Sequence, residues 1–140
     1  GVVYLDLDHF KVINDQWGHH TGDTILTGIA GLLNNRLRDN DHIFRIGGEE
    51  FMVLLPETGL PEAAILAHEL VNSVATEQFQ AGIRITVSGG LTQACTNETW
   101  SAWLKRADQA LYKAKSDGRN RIVQLPGSSP PTDTGLESNS

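Results

Sequence analysis

The chain has 140 residues, the length of one domain and enough to bury a core without disulfide or metal staples. Hydrophobic residues make up 39% and charged residues 20%, which excludes an intrinsically disordered chain. Eleven Lys/Arg against seventeen Asp/Glu give a formal net charge of −6, which argues against DNA or RNA binding through a basic surface.

Residues 1–8 start β-branched and alternate apolar with acidic side chains, the pattern of a strand. Gly18-His19 and Gly22 punctuate a loop. Ile25, Leu26, Ile29, Leu33 and Leu37 recur at helical spacing, with Thr21 or Asp23 as N-cap. Residues 42–46 and 50–55 read as strands joined through Gly47-Gly48, a hairpin. Ala63, Leu66, Ala67, Leu70, Val71 and Val74 mark a second helix, and residues 83–91 a β-branched strand. Trp100, Trp103, Leu104, Ala107, Leu111 and Ala114 mark a third helix closed by Gly118, and residues 121–125 a last short strand. The order βαββαβαβ begins with the ferredoxin-like βαββαβ pattern. This is an α/β (α+β) fold with helices covering one face of a mixed antiparallel sheet. Such a fold hosts many activities.

Residues 126–140 hold Pro126, Pro130 and Pro131 with Gly, Ser and Thr, and predict a disordered tail behind a folded domain of residues 1–125. The lone Cys95 allows no internal disulfide and points to a reducing, cytoplasmic setting. No apolar run approaches a membrane span, so no membrane contact is expected of this domain. Met52 is the sole methionine and Gly1 opens inside an apolar run, which reads as an excerpt from a longer protein.

Two acidic clusters carry the first chemical signal. Asp6-Leu7-Asp8 ends the first strand, and Glu49-Glu50 follows the Gly47-Gly48 turn. With the first strand central and paired to the hairpin, these carboxylates converge, and oxygen-rich clusters of that kind suit Mg²⁺ or Mn²⁺. The bland alternative is solvated surface at strand ends. An EF-hand reading of Asp6 and Asp8 fails, because Phe10 stands at a ligand position and Val12-Ile13 where the loop needs glycine. The stretch from His9 to Asp23 leads into a helix N-terminus, a natural phosphate cradle. Asn14 and Asp23 suit a purine edge, since a carboxylate accepts from the N1–H and N2–H₂ of guanine. Taken singly, they also read as a turn residue and a helix cap. Lys113 to Arg121 is the densest basic run of the chain. It suits either a helix C-terminus or a triphosphate clamp by Lys115 and Arg119.

Together these residues resemble the GGDEF family of diguanylate cyclases. The family signature stands here as Gly47-Gly48-Glu49-Glu50-Phe51, its GGEEF variant. The pattern D-x-D-x-F-K-x-x-N-D-x-x-G-H-x-x-G-D runs unbroken from Asp6 to Asp23, and A-L-Y-x-A-K-x-x-G-R-N from Ala110 to Asn120. The resemblance implies a palm-type, nucleotide-cyclase-like core that condenses two GTP into cyclic di-GMP and two pyrophosphates, with two Mg²⁺ or Mn²⁺ per active site. It implies a homodimer across the active site and an upstream sensory domain in the parent protein. Asp6 and Glu49, with the Leu7 carbonyl, correspond to the metal ligands. Glu49 is also the family's proton acceptor, although a metal-bound carboxylate is a poor base. The backbone N–H groups of Phe10 and Lys11 correspond to contacts with the β- and γ-phosphates. Asn14 and Asp23 correspond to guanine recognition, His19 to a substrate-site position, and Lys115 and Arg119 to holders of the terminal phosphates. Asp8 and Glu50 take supporting roles.

Many of these cyclases carry an R-x-x-D site five residues before the signature, where cyclic di-GMP inhibits. Arg38-Asp39-Asn40-Asp41 stands at that offset from Gly47, so Arg38 and Asp41 are the expected inhibitory pair. The segment that precedes the first strand in the family, and helps to build the guanine pocket, is not in this sequence. Two other readings compete: an inactive module that binds cyclic di-GMP as a sensor, and another metal-dependent nucleotidyl-transfer enzyme on the same core.

Overall fold

The computed structural model describes residues 1–95 and 97–125, so the tail expected over 126–140 lies outside the described residues. The elements are β1 (Val2–Leu7), α1 (Phe10–Trp17), α2 (His19–Asn34), β2 (His42–Arg45), β3 (Glu50–Leu54), α3 (Leu60–Thr76), β4 (Val87–Thr92), α4 (Trp100–Ser116) and β5 (Ile122–Gln124). One five-stranded sheet runs in the order β2-β3-β1-β4-β5. The first three pairings are antiparallel and β4-β5 is parallel. The ferredoxin-like, mixed-sheet expectation therefore holds, with β1 at the centre.

Alternation along β1 sorts the two faces. Val3, Leu5 and Leu7 join the main core with Ile25, Ile29 and Leu33 of α2 and Ala67, Leu70 and Val74 of α3. Val2 points the other way, onto Trp103 and Ala107 of α4. The expectation that helices cover one face is thus corrected: α4 crosses the opposite face. It can do so because β4 carries Gly90, where a Cβ would fall 2.4 Å from the Ala107 carbonyl and the Leu111 amide. Only glycine lets the helix backbone lie that close to the strand. Asp6 shares the α4 face, so the C-terminal turn of α4 reaches the end of β1.

Two further expectations are corrected. The stretch read as a loop contains α1, because Phe10 and Ile13 lie one turn apart and both bury into the core. Gly18 (φ 91°) ends α1, donates to Asn14 O and begins α2, so Thr21 and Asp23 lie inside α2 and neither caps it. Gly22 is buried in α2 and does not mark a loop. A Cβ there would come within 2.0 Å of Asn14 Oδ1, which fixes where α1 crosses α2. The strand expected from residue 83 begins only at Val87. Ile83 and Ile85 are buried, but β1 ends at Leu7 and leaves residues 83–85 no strand to pair with. No helix among the described residues is long and apolar enough to cross a membrane.

Candidate active site

The end of β1 meets the β2-β3 turn through backbone pairing. Asp6 lies opposite Glu50 in the register, and the Leu7 N–H donates to the Glu49 carbonyl at 3.1 Å. The return bond is not formed, which leaves the Leu7 carbonyl open on that side. Arg45 steadies the turn, its guanidinium donating to the carbonyls of Gly47 (3.2 Å) and Gly48 (2.8 Å). The Glu49 carboxyl lies near enough to that of Asp6 to feel its charge. Burial, and then the negative charge of Asp6, push the Glu49 carboxyl above its ordinary 4.5, while Lys115 opposes the shift.

This pair fits a divalent cation. Asp6 is buried, and its Oδ1 has no hydrogen-bond partner among the described residues. Two neighbouring carboxylates with one orphaned oxygen, and Lys115 as the cation in contact with them, leave a net negative charge that a divalent cation would offset. No group of three or more His, Cys, Asp or Glu side chains gathers at metal-binding spacing among the described residues. A site of two carboxylates and a carbonyl suits Mg²⁺, which keeps waters and takes substrate phosphates as its other ligands.

Of the residues expected to bind phosphate, Lys115 alone has a contact with this pair among the described residues. His9, at φ 56°, precedes α1 and offers no side-chain cap. The Phe10 and Lys11 N–H groups accordingly have no intrahelical carbonyl to donate to, which leaves them free for an anion. The Phe10 side chain itself is core. Lys115 donates to Asp6 Oδ2 at 2.7 Å, so it lies at the site but on a carboxylate. Arg119 follows the end of α4, exposed, with no side-chain partner among the described residues. Where α1 crosses α2, Asn14 has a buried Oδ1 without a hydrogen-bond partner among the described residues. His19 and Asp23 lie one turn apart on α2, both exposed.

Arg38 and Asp41 lie near the opposite end of the sheet, where β3 runs out toward Thr58. Asp41 Oδ2 accepts from the Arg38 backbone N–H (2.9 Å) and from Nε (3.3 Å), and the Arg38 guanidinium also donates to Thr58 Oγ1. The Asp41 side chain is 1% exposed and that of Arg38 is 61% exposed. Asp41 Oδ1 is buried without a partner.

Sequence reading missed several participants. Tyr4 donates to Glu50 Oε1 at 3.0 Å, and burial, then this bond to the Glu50 carboxylate, push its hydroxyl up to about 12. Ser88 and Thr86 donate to Asp8. The available signal was Ser88-Gly89-Gly90, a run of small residues inside a strand that marks close approach of another element. Thr58, seventeen residues beyond Asp41, left no such signal.

The sequence profile of the family described as "Diguanylate cyclase, GGDEF domain" matches residues 1–121. The diguanylate cyclase DgcP of Pseudomonas aeruginosa is 49% identical over 124 residues, covering 86% of this chain and 18% of DgcP. The chain thus spans about a fifth of that relative's length. The active GGEEF domain of a diguanylate cyclase from Vibrio cholerae superposes with a TM-score of 0.84 at 35% identity, covering 91% of this chain and 83% of that one. The GGDEF domain of DgcB from Caulobacter crescentus, solved in complex with c-di-GMP, superposes at 0.83 with 32% identity, covering 88% and 75%. By sequence over nearly its whole folded length, and by fold, the chain belongs to the GGDEF family of diguanylate cyclase domains.

Proposed function

We propose that residues 1–125 form a catalytic domain that condenses two GTP into cyclic di-GMP and two pyrophosphates, acting as a homodimer with one GTP held by each copy. The observation that carries this reading is the buried, unpartnered Asp6 Oδ1 beside Glu49. Asp6, Glu49 and the Leu7 carbonyl would hold two Mg²⁺ or Mn²⁺ together with substrate phosphates. Bound there, the metal neutralises charge on the α-phosphoryl oxygens and on the departing pyrophosphate.

The 3′-hydroxyl of one GTP attacks the α-phosphorus of the other. A P–O bond forms as the bond to the bridging oxygen breaks, and the hydroxyl proton passes toward Glu49. Repetition in the reverse sense closes the ring. The Phe10 and Lys11 amides, Lys115 and Arg119 hold the β- and γ-phosphates in line for departure. Asn14 Oδ1 and the Asp23 carboxylate accept from guanine N–H groups, with His19 beside them. Adenine would set its N1 lone pair against Asp23, an unfavourable contact. Arg38 and Asp41 bind product and inhibit. The setting is cytoplasmic, below whatever sensory domain the parent protein carries.

The test is product analysis by mass spectrometry. The domain, joined to a dimerising module, is given GTP and Mg²⁺. Cyclic di-GMP that vanishes with Glu49→Gln supports the cyclase. A folded, dimeric sample that binds cyclic di-GMP and makes none overturns it in favour of a sensor module.

A further inference from the structure

The two aspartates that end β1 differ in their surroundings. Asp6 keeps one buried oxygen without a hydrogen-bond partner among the described residues. Asp8 is closed onto the protein: its Oδ2 accepts from Thr86 Oγ1 (2.6 Å) and the Asn120 N–H (3.1 Å), and its Oδ1 from Ser88 Oγ (2.7 Å). The Asn120 N–H is shared with Ser88 Oγ at 3.2 Å. Asp8 and Ser88 are both buried. A carboxylate engaged by three internal donors is not arranged as a metal ligand.

The segment that Asp8 holds has an unusual backbone. Gly118, Arg119 and Asn120 have φ of 127°, 64° and 50°. Two consecutive residues with side chains in the left-handed region are strained and persist only where neighbours over-determine them. Several bonds do so here, including one from Arg121 Nε to the Arg119 carbonyl at 2.9 Å. The Arg119 N–H donates to the Ala114 carbonyl at 2.9 Å, the Gly89 N–H to the Arg121 carbonyl at 2.9 Å, and the Asn120 N–H to Asp8. Only the last uses a charged acceptor, the stronger kind. It ties the loop to the strand that carries Asp6.

We propose that Asp8 is a positioning residue for the nucleotide's terminal phosphates. By fixing the backbone of residues 118–120, it sets the direction from which Arg119 reaches the metal-bound triphosphate. The proposal rests on the reading of Arg119 as a phosphate ligand. It divides the two aspartates of the motif, the first open toward a cation and the second holding the loop.

The experiment is equilibrium titration of Asp8→Asn, Arg119→Ala and the double variant, with Mg²⁺, against two probes. 3′-Deoxy-GTP lacks the attacking hydroxyl and binds without turnover; GMP lacks the β- and γ-phosphates. Asp8→Asn is expected to weaken 3′-deoxy-GTP about tenfold while changing GMP less than about twofold, the size of effect typical of groups that orient ligands. Arg119→Ala should behave alike, and the double variant should be no weaker than the worse single, because the two act through one contact. Loss of GMP affinity equal to that of 3′-deoxy-GTP, losses that multiply in the double variant, or unchanged binding by Asp8→Asn overturns the proposal alone. Unchanged triphosphate binding by Arg119→Ala overturns the phosphate-ligand reading and the proposal with it. Should Asp8→Asn not fold, Ser88→Ala removes one donor and is expected to show about a threefold loss confined to the triphosphate, smaller because the charge stays. An equal loss on GMP, or none on either probe, overturns the proposal.

Discussion

Lys115, in the last turn of α4, places its Nζ 2.7 Å from Asp6 Oδ2 at the end of β1, joining residues 109 positions apart. The lysine side chain is 29% exposed and the aspartate 11%. A partly exposed ammonium on a flexible stem makes a removable counter-ion. In the metal-free domain it stands where a cation is needed. On the proposed reading, a bound cation would release this stem to turn to the triphosphate. Lys115→Met should therefore destabilise the metal-free domain by about 1–2 kcal/mol, less than a fully buried pair would lose. Mg²⁺ at millimolar concentration should recover most of that loss. Urea unfolding with and without Mg²⁺ checks this; an equal deficit in both would show that the cation and Lys115 do not serve the same carboxylate.

On the proposed cyclase reading, Glu49 should contribute little to folding and much to the reaction. Its carboxyl is only partly buried and is disfavoured as an anion by Asp6 and Glu50. Glu49→Gln should leave the melting temperature unchanged or slightly raised. Turnover should fall more than about 100-fold, beyond the range for groups that merely orient metal ligands. Initial rates of pyrophosphate release, measured beside thermal melts, check both halves. Near-normal rates would sink the assignment of Glu49 as a metal ligand.

What the sequence made legible follows from which interactions are local. Alternation in β1 and the hairpin around Gly47-Gly48 are local patterns, and both were readable. The convergence of Asp6 with Glu49 followed from topology once β1 was placed centrally. α1 escaped because Asn14 and Asp15 suit turns and only Phe10 and Ile13 mark its apolar side. Its helical state depends on a core that periodicity over eight residues barely reveals. The start of β4 was misplaced because Ile83 and Ile85 alternate like a strand, while pairing depends on where β1 stops. The Lys115–Asp6 contact was invisible for a similar reason. Nothing local says that α4 crosses the face on which Asp6 lies, short of reading Gly90 as a point of close approach.

Acid sensitivity should centre in part on Glu98. Its carboxylate accepts from Arg106 Nε (2.7 Å) and Nη2 (2.5 Å) and from the Cys95 N–H (3.0 Å), fastening the β4–α4 connection. The Arg106 hydrogen bond, the largest influence, holds the Glu98 carboxyl below its ordinary 4.5. The unfolded chain takes up this proton near the ordinary value, and the folded domain only at lower pH. The stabilisation is thus complete above 4.5 and is lost as pH falls through the folded value. Glu98→Gln should lower stability at neutral pH and flatten its decline on acidification. Unfolding curves from pH 7 to about 3 compare the two proteins. Parallel curves would mean that Glu98 titrates alike in folded and unfolded chains.

Arg38 and Asp41 stand in one motif but in different physical situations, and their substitutions should separate. The Asp41 side chain is buried and caps its own turn, whereas Arg38 is mostly exposed and spends its guanidinium on Asp41 and Thr58. Asp41→Ala should cost about 1–3 kcal/mol, because the part-buried Arg38 N–H loses its acceptor. Arg38→Ala should cost less, because the Asp41 carboxylate keeps its bond from the backbone N–H of residue 38. If this turn binds product, Arg38→Ala should also relieve inhibition by added cyclic di-GMP with little change in initial rate. The turn lies at the far end of β3 from Glu50, four residue steps or about 13 Å along the strand, so it is separate from the Asp6–Glu49 pair. Inhibition curves beside urea unfolding of both variants measure the two effects. Inhibition that persists undiminished in Arg38→Ala would leave the motif a structural turn, with Asp41 as its buried cap and product acting elsewhere.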